Sequence, residues 1–272
     1  MKLSSTITLA LLLFALPARA GDHARLRYEV NWSGFHAADL ELDLKEGDGR
    51  HLSSLAMETR GLVNWLIKLR FDANAEGVSA PGGPRSLAYR TEFTNRNGRR
   101  RLELAFDPAS GKSEIVTDIK LDNAPAGESA DPEQVEPVLM EERLGALDPL
   151  TAINRLQENT RLATHGQGPK AFAIPVFDGR RRYDFAAEVL GSKRLHVAGK
   201  PYQIIEVRLS MITLQGFRPK HRKMWDGTHF LVRLDPHRNF TPVQIQSDGF
   251  FASTMINLIE SCEGDEGCRI ER

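Results

Sequence analysis

Three carboxylates near the start of the chain are the first residues whose types suit acid–base chemistry. Asp39, Glu41 and Asp43 occupy alternate positions, so in a strand they share one face. Two carboxylates held close together can divide the acid and base roles of an enzyme. The surrounding residues 38–44 alternate polar and apolar types, as on the wet side of a half-buried strand. We therefore interpret the three as a polar strand face.

Histidines and a glycine-rich turn are the other chemical candidates. His221, His229 and His237 lie eight residues apart across a predicted turn and strand, a spacing that does not bring the rings to one surface. Residues 109–113, Ala-Ser-Gly-Lys-Ser, imitate the end of a phosphate-binding loop, but Phe106 replaces its first glycine. Gly-x-Ser-x-Gly and His-Glu-x-x-His are absent. The sequence predicts no catalytic residue, metal or cofactor, and we expect a protein that is not an enzyme.

Basic residues form three clusters beside predicted turns, and these are candidate binding residues. If the turns share one end of a sheet, the clusters form a positive rim suited to phosphorylated lipid head groups or acidic envelope polymers. Charged turns that keep hairpins soluble are the simpler interpretation. The clusters are Arg96 with Arg99, Arg100 and Arg101; Arg180, Arg181 and Arg182; and Arg218, Lys220, His221, Arg222 and Lys223.

Large apolar residues supply a second binding hypothesis, in which they line a cavity between a sheet and a helix. Ordinary core packing is the alternative. The set comprises Trp65, Leu66, Ile67, Phe172, Ile174, Phe177, Phe250, Phe251, Met255, Ile256 and Leu258.

The elements that must position these residues are mostly strands. Polar and apolar residues alternate, and turn pairs such as Asn97-Gly98 and Asp178-Gly179 separate the apolar segments. Asp226-Gly227 and Asp248-Gly249 repeat the signal. The pattern predicts a mainly β protein, an antiparallel meander forming an open or closed barrel. The predicted strands are residues 25–31, 38–44, 52–59, 67–75, 87–95, 100–106, 113–120, 181–190, 202–211, 229–234 and 242–247.

One or two short helices are expected to cover the sheet. Asp148 and Pro149 form a helix start, and Leu150, Ile153 and Leu156 follow at three-residue spacing. Residues 61–69 fit either a helix or a buried strand. Residues 122–142 carry three prolines and many acids and predict a long surface loop within a single β-rich domain of residues 21–272.

The first twenty residues place the protein outside the cytoplasm. A basic start, an apolar run and Ala18-Arg19-Ala20 are typical of a signal peptide. No other apolar run is long enough to span a bilayer, so we expect a soluble periplasmic protein. In such an oxidising compartment Cys262 and Cys268 are expected to form a local disulfide.

Charge argues against a nucleic-acid partner. The chain has 36 basic and 36 acidic residues, and losing Lys2 and Arg19 with the signal peptide leaves a formal charge of −2. A dedicated nucleic-acid binder carries a marked basic excess.

Four segments together resemble the bacterial family called domain of unknown function 3108. They are residues 28–34 (Tyr-Glu-Val-Asn-Trp-Ser-Gly), 59–63 (Thr-Arg-Gly-Leu-Val), 148–150 (Asp-Pro-Leu) and 176–185 (Val-Phe-Asp-Gly-Arg-Arg-Arg-Tyr-Asp-Phe). The resemblance implies an exported β-rich protein without catalytic residues to transfer. The family's layout is similar to the half-barrels of periplasmic lipoprotein carriers, which is an analogy of fold and not of cargo.

These observations give one leading functional hypothesis and one alternative. The first is an envelope protein that holds a hydrophobic or amphiphilic ligand between the sheet and the helix near residues 150–156, with Trp65 and the arginines as contacts. The alternative is a scaffold with a filled core that docks an envelope protein.

Overall fold

The computed structural model describes residues 22–122, 137–226, 228–249 and 252–264. Within them, thirteen antiparallel strands form one sheet in the order β7-β6-β5-β4-β3-β2-β1-β13-β12-β11-β10-β9-β8. The strands are β1 (Asp22–Trp32), β2 (Phe35–Gly47), β3 (Arg50–Thr59), β4 (Arg70–Ala80), β5 (Gly83–Asn95), β6 (Gly98–Phe106), β7 (Ser113–Asp122), β8 (Ala171–Phe177), β9 (Arg182–Val197), β10 (Lys200–Gln215), β11 (His229–Asp235), β12 (Thr241–Gly249) and β13 (Ala252–Glu263).

All eleven predicted strands are present, and two further strands were missed. β8 contains Pro175, which removes a backbone donor and weakens the strand signal, yet β8 lies at the sheet edge where proline is tolerated. β13 mixes polar and apolar residues without strict alternation, and a register shift in its pairing with β1, between Glu260 and Leu258, interrupts the period of two. Turn signals explain the hairpins well: Asn97 lies in the turn between Asn95 and Gly98, and Asp178 in the turn between β8 and β9.

Pairing between β1 and β13 joins the two ends of the chain into one sheet. Val30 lies opposite Ile256, and the Tyr28 hydroxyl donates to the carbonyl oxygen of Pro242 at 2.8 Å. The sheet curls but does not close, since β7 and β8 each pair on one side only. Side chains bridge the gap: Phe177 of β8 packs in a core cluster with Tyr89 of β5 and Leu102 of β6.

Three helices accompany the sheet, where one or two were expected. They are α1 (Gly61–Leu66), α2 (Pro149–Thr164) and α3 (Pro219–Trp225), and a single 3₁₀ turn spans Glu141–Arg143. α1 resolves the ambiguous segment as a helix followed by β4. α2 is longer than the short helix predicted. α3 was missed, and the turn signal at Asp226 marks the end of this helix.

Several sequence predictions concern residues outside the described ranges. These are the signal peptide of residues 1–20, most of the acidic loop, the side chains of Phe250 and Phe251, and Cys268. Cys262 lies in β13 opposite Arg25, and its disulfide with Cys268 stays a prediction. None of the helices in the described ranges has both the length and the apolar character needed to cross a membrane.

Candidate functional site

The connections between strands alternate between two ends of the curled sheet. One end, here called the α1 end, carries the β1–β2 turn, α1, the β5–β6 and β8–β9 turns, and α3. The opposite end, called the α2 end, carries the β2–β3, β4–β5, β9–β10 and β11–β12 turns. α2 extends to this second end, where Gln157 donates to the Phe240 carbonyl oxygen at 3.2 Å.

The interior next to α2 is filled by the protein's own side chains. Leu150, Ala152 and Leu156 are buried, and the last two pack with Val207 and Leu234 of the sheet. The interior expected to hold a ligand beside residues 150–156 is therefore occupied. This is a correction to the predicted ligand position, and its cause is that α2 buries a continuous apolar face against the concave side of the sheet.

Along several strands the inward-facing apolar residues become less buried toward the α1 end, although Ala38 of β2 and Tyr183 of β9 stay buried. Along β4, Phe71 is half-buried, whereas Ala73, two positions further on the same face, is fully buried. Phe230 and Val232 of β11 repeat this gradient. We call the half-buried set the mouth. Its members are Val30, Leu40, Met57, Phe71, Phe185, Met211, Phe230 and Ile256.

The three basic clusters meet at this same end, as the rim hypothesis required. A Cβ atom on Gly179 would overlap the side chain of Leu102, so the β8–β9 turn lies against β6. A Cβ atom on Gly216 would overlap the carbonyl oxygen of Arg180. On the other side, the Arg181 guanidinium lies 5.5 Å from the Phe217 ring centroid, next to the start of α3. We call the three clusters together the rim.

Most of the predicted binding arginines are already paired with acids. Arg100 donates to both carboxylate oxygens of Asp118 at 2.8 and 2.5 Å. Pairing within the sheet therefore neutralises much of the charge that the sequence suggested. The other ion pairs are Arg99–Glu92 at 2.7 Å, Arg101–Glu103 at 2.8 Å, Arg182–Asp184 at 2.6 Å and Arg181–Asp178 at 4.0 Å.

Arg180 differs from its neighbours. Its guanidinium has no ion pair within the described part of the chain. Burial of part of the side chain, together with the positive charges of Arg100 and Arg181, lowers the pKa of Arg180 from its usual value, although Asp178 and Asp118 oppose the shift. An anion bound here would relieve the repulsion between the three guanidinium groups.

Trp65 lies on the outside of the molecule and not in a cavity. It is exposed on α1, where Arg96 donates to its carbonyl oxygen and lies 6.0 Å from its ring centroid. Leu66 and Ile67 are exposed as well, so the expectation that this segment lines an interior cavity was wrong. Of the other candidates, Ile174 and Phe177 are core residues.

The acidic strand face is tied into ion pairs. Asp39 accepts from His36 at 2.8 Å and from Arg60 at 2.7 Å. Partial burial alone would raise the pKa of Asp39, but these hydrogen bonds and charges outweigh it and lower the pKa. A carboxylate with a lowered pKa is a poor proton donor or acceptor near neutral pH.

The histidines and the glycine-rich turn were the remaining chemical candidates, and the side chain of His221 lies outside what the structure describes. The described residues hold no group of three or more His, Cys, Asp or Glu placed to bind a metal ion. His229 shares a 2.7 Å hydrogen bond with Ser210. Residues 109–112 form the β6–β7 turn, which Asp107 organises by accepting from the Ala109 amide at 2.9 Å.

A polar cleft of about 1130 Å³ at the α2 end was missed by sequence analysis. It lies between α2 and the β2–β3 and β4–β5 turns, with Asn154 and the ion pair Arg161–Glu158 on its helical wall. No local sequence motif indicates this cleft, because its walls come from turns and a helix that are far apart in the sequence.

One solved structure supports the β-rich fold. The crystal structure of a beta-barrel-like protein of domain of unknown function DUF1849 from Brucella abortus has a TM-score of 0.50 and 12% identity, covering 89% of this chain and 98% of that chain. A candidate lipoprotein from Parabacteroides distasonis has a TM-score of 0.35 and 7% identity, covering 88% and 95%. None of the curated protein sequences compared with the chain matches it. Residues 27–258 match the profile of the family described as Protein of unknown function (DUF3108), and the chain belongs to that family.

Proposed function

We propose that this protein is a periplasmic binding protein without catalytic activity that holds an anionic amphiphile at the α1 end. The mouth receives the apolar part of the ligand, and Arg180 pairs with its anionic head group. The observation that carries the proposal is the juxtaposition of half-buried, inward-facing apolar side chains with an arginine that has no ion pair within the described residues.

The mouth and Arg180 suit different parts of the ligand because one surface is apolar and the other is positively charged. Covering the half-buried side chains of the mouth with an acyl or similar chain removes apolar area from water, at roughly 25 cal/mol per Å². A phosphate or carboxylate beside a partly desolvated arginine forms charge-assisted hydrogen bonds, which are stronger than neutral ones. The ligand therefore needs both an apolar chain and an anionic group.

Native mass spectrometry of the protein purified after export, followed by organic extraction and lipid analysis, tests the proposal. We expect a stoichiometric anionic amphiphile. Arg180→Gln should lower its occupancy about tenfold or more, because a charge-assisted hydrogen bond contributes roughly 1.5–3 kcal/mol.

Arg194→Gln is the matched control. Arg194 is also an exposed arginine of β9 without an ion pair in the described ranges, but it lies near the β9–β10 turn at the α2 end. A parent protein that carries no ligand, or equal losses in the two variants, would contradict the proposal.

The edge of the sheet supports a second candidate function, docking of an envelope protein. Among the described strands β7 pairs with β6 alone, and its Val116, Ile119 and Leu121 are exposed. An unpaired edge strand with apolar side chains can accept a strand from another chain. The filled interior beside α2 is compatible with such a scaffold.

Cross-linking in the envelope tests the second candidate. Ile119→Lys places a charge on the open edge and should abolish a specific cross-linked partner. Leu52→Lys changes a similarly exposed apolar residue in β3, which is paired on both sides at that position, and should leave the partner bound. Loss of the partner in both variants, or in neither, would count against edge docking.

A further inference from the structure

α1 and the neighbouring β1–β2 turn expose an unusual concentration of large apolar side chains. Phe35 is 74% exposed, Leu62 71%, Trp65 68% and Leu66 53%. The two segments adjoin, since the Arg60 amide donates to the Ala37 carbonyl oxygen at 2.7 Å. We call these four residues the α1 patch. Apolar side chains gathered in this way on a protein surface mark an interaction site.

Cations without an ion pair among the described residues border the α1 patch, whereas the neighbouring acids Asp39 and Glu58 are both paired with Arg60. α1 itself, Gly-Leu-Val-Asn-Trp-Leu, carries no charge. Lys68 follows it, is exposed, and forms no ion pair with the described residues. Arg96 lies over the Trp65 ring. The two acids nearest in sequence are Asp39 and Glu58, which lie 2.7 and 3.4 Å from Arg60.

The basic helix α3 lies at the same end of the sheet, in the connection between β10 and β11. Its sequence, Pro-Lys-His-Arg-Lys-Met-Trp, has no acidic residue. Lys223 is exposed, and Arg222 is held by the Leu214 carbonyl oxygen, a neutral acceptor that leaves its charge uncompensated. The patch and the cations thus occupy one end of the molecule.

We propose that the α1 end docks on the surface of a membrane containing anionic phospholipids. Leu62, Trp65 and Leu66 enter the boundary between head groups and acyl chains, and Lys68, Arg96 and α3 face the anionic head groups. Exposed tryptophan and leucine beside lysine and arginine are what an interfacial membrane contact requires. The same orientation would point the mouth at the bilayer, but docking does not depend on a ligand in the mouth.

Charge distinguishes a bilayer from the other occupants of an apolar patch. A second copy of the chain would bring the same cations against one another, which opposes a symmetric dimer through this end. An anionic membrane offers both an apolar layer and a complementary charge.

Co-sedimentation with vesicles tests the proposal, with tryptophan emission as a second readout. The protein purified after export is mixed with vesicles of phosphatidylethanolamine and phosphatidylglycerol, or of phosphatidylcholine alone. We expect binding to the first, a blue shift of the emission, and loss of binding at high salt. Leu66→Glu should weaken binding at least about tenfold, because it removes an apolar side chain that docking would bury in the membrane and adds a negative charge. Lys68→Gln should weaken it about fivefold, the equivalent of about 1 kcal/mol per cation.

Leu52→Glu is the matched control, because Leu52 is 47% exposed but lies in β3 near the α2 end. It should bind vesicles like the parent. Equal binding to both vesicle types, unchanged binding of Leu66→Glu, or a patch-dependent dimer without vesicle binding would overturn the proposal. Leu66→Glu should retain any co-purified ligand and Arg180→Gln should lose it, so failure of docking and failure of ligand binding are separate results.

Discussion

Asp148 shows how one residue joins a helix to the sheet. Its carboxylate accepts from the amides of Leu150 and Thr151 at 2.9 and 3.0 Å and from the Ser86 hydroxyl at 2.6 Å. The sequence predicted the helix cap from Asp148 and Pro149, but Ser86 lies 62 residues away and carries no local signal. Burial is the main reason why the pKa of Asp148 is raised.

We expect Asp148→Ala to destabilise the fold by about 2–4 kcal/mol, because it removes a cap and leaves a buried hydroxyl and two amides without an acceptor. Urea unfolding measures the loss. Asp107→Ala removes a similar acceptor from the exposed β6–β7 turn and should cost less than about 1 kcal/mol. Equal losses would mean that the Ser86 link adds nothing to the cap.

Single elements are recognised from sequence when their pattern is local, and missed when their neighbours decide it. The alternation in residues 38–44 predicted β2, and the structure extends that strand to Phe35–Gly47. β13 was missed because a register shift interrupts its alternation, and α3 because its charged sequence is typical of a turn. The position of the β8–β9 turn against Gly216 likewise depends on a contact that no local pattern reports.

Comparing Gly216→Ala with Gly199→Ala measures how much the contact between the β8–β9 turn and Gly216 contributes to the free energy of unfolding. Both glycines have φ of +77°, so both substitutions carry the backbone cost of about 1–2 kcal/mol. Nothing lies close to a Cβ atom at Gly199, whereas at Gly216 the carbonyl oxygen of Arg180 does. We expect Gly216→Ala to cost about 1–3 kcal/mol more in urea unfolding. Similar costs would show that the turn moves away freely.

At the scale of the whole molecule, two long-range features make the open sheet a unit. β1 pairs with β13, which brings Tyr28 to Pro242, 214 residues later in the chain. Across the gap between the edges, Phe177 of β8 enters the core of the N-terminal strands. Contacts of such sequence separation slow folding, because loop closure precedes the gain from packing.

Phe177→Ala should therefore destabilise the protein by about 3–5 kcal/mol, since it empties a fully buried site that joins the two edges. Phe93→Ala changes a phenylalanine of the exposed end of β5 and should cost less than half as much. Denaturant unfolding followed by fluorescence and circular dichroism provides the comparison. A small loss for Phe177→Ala would show that packing across the gap is not what holds β8 in place.

The sequence by itself determined the strands with regular alternation, most hairpin turns and the start of α2, because these depend on residues a few positions apart. It also placed arginines beside turns. Only the tertiary structure decided that three of those turns meet at one end and that α2 packs against the concave side of the sheet. It also decided that Glu92, Asp118 and Glu103 neutralise Arg99, Arg100 and Arg101, whereas Arg180 has no ion pair with the residues that the structure describes. The exposure of Trp65 was also decided by the tertiary structure. Exposure, ion pairing and cavity position depend on which distant segments pack together, and local periodicity carries no information about that packing.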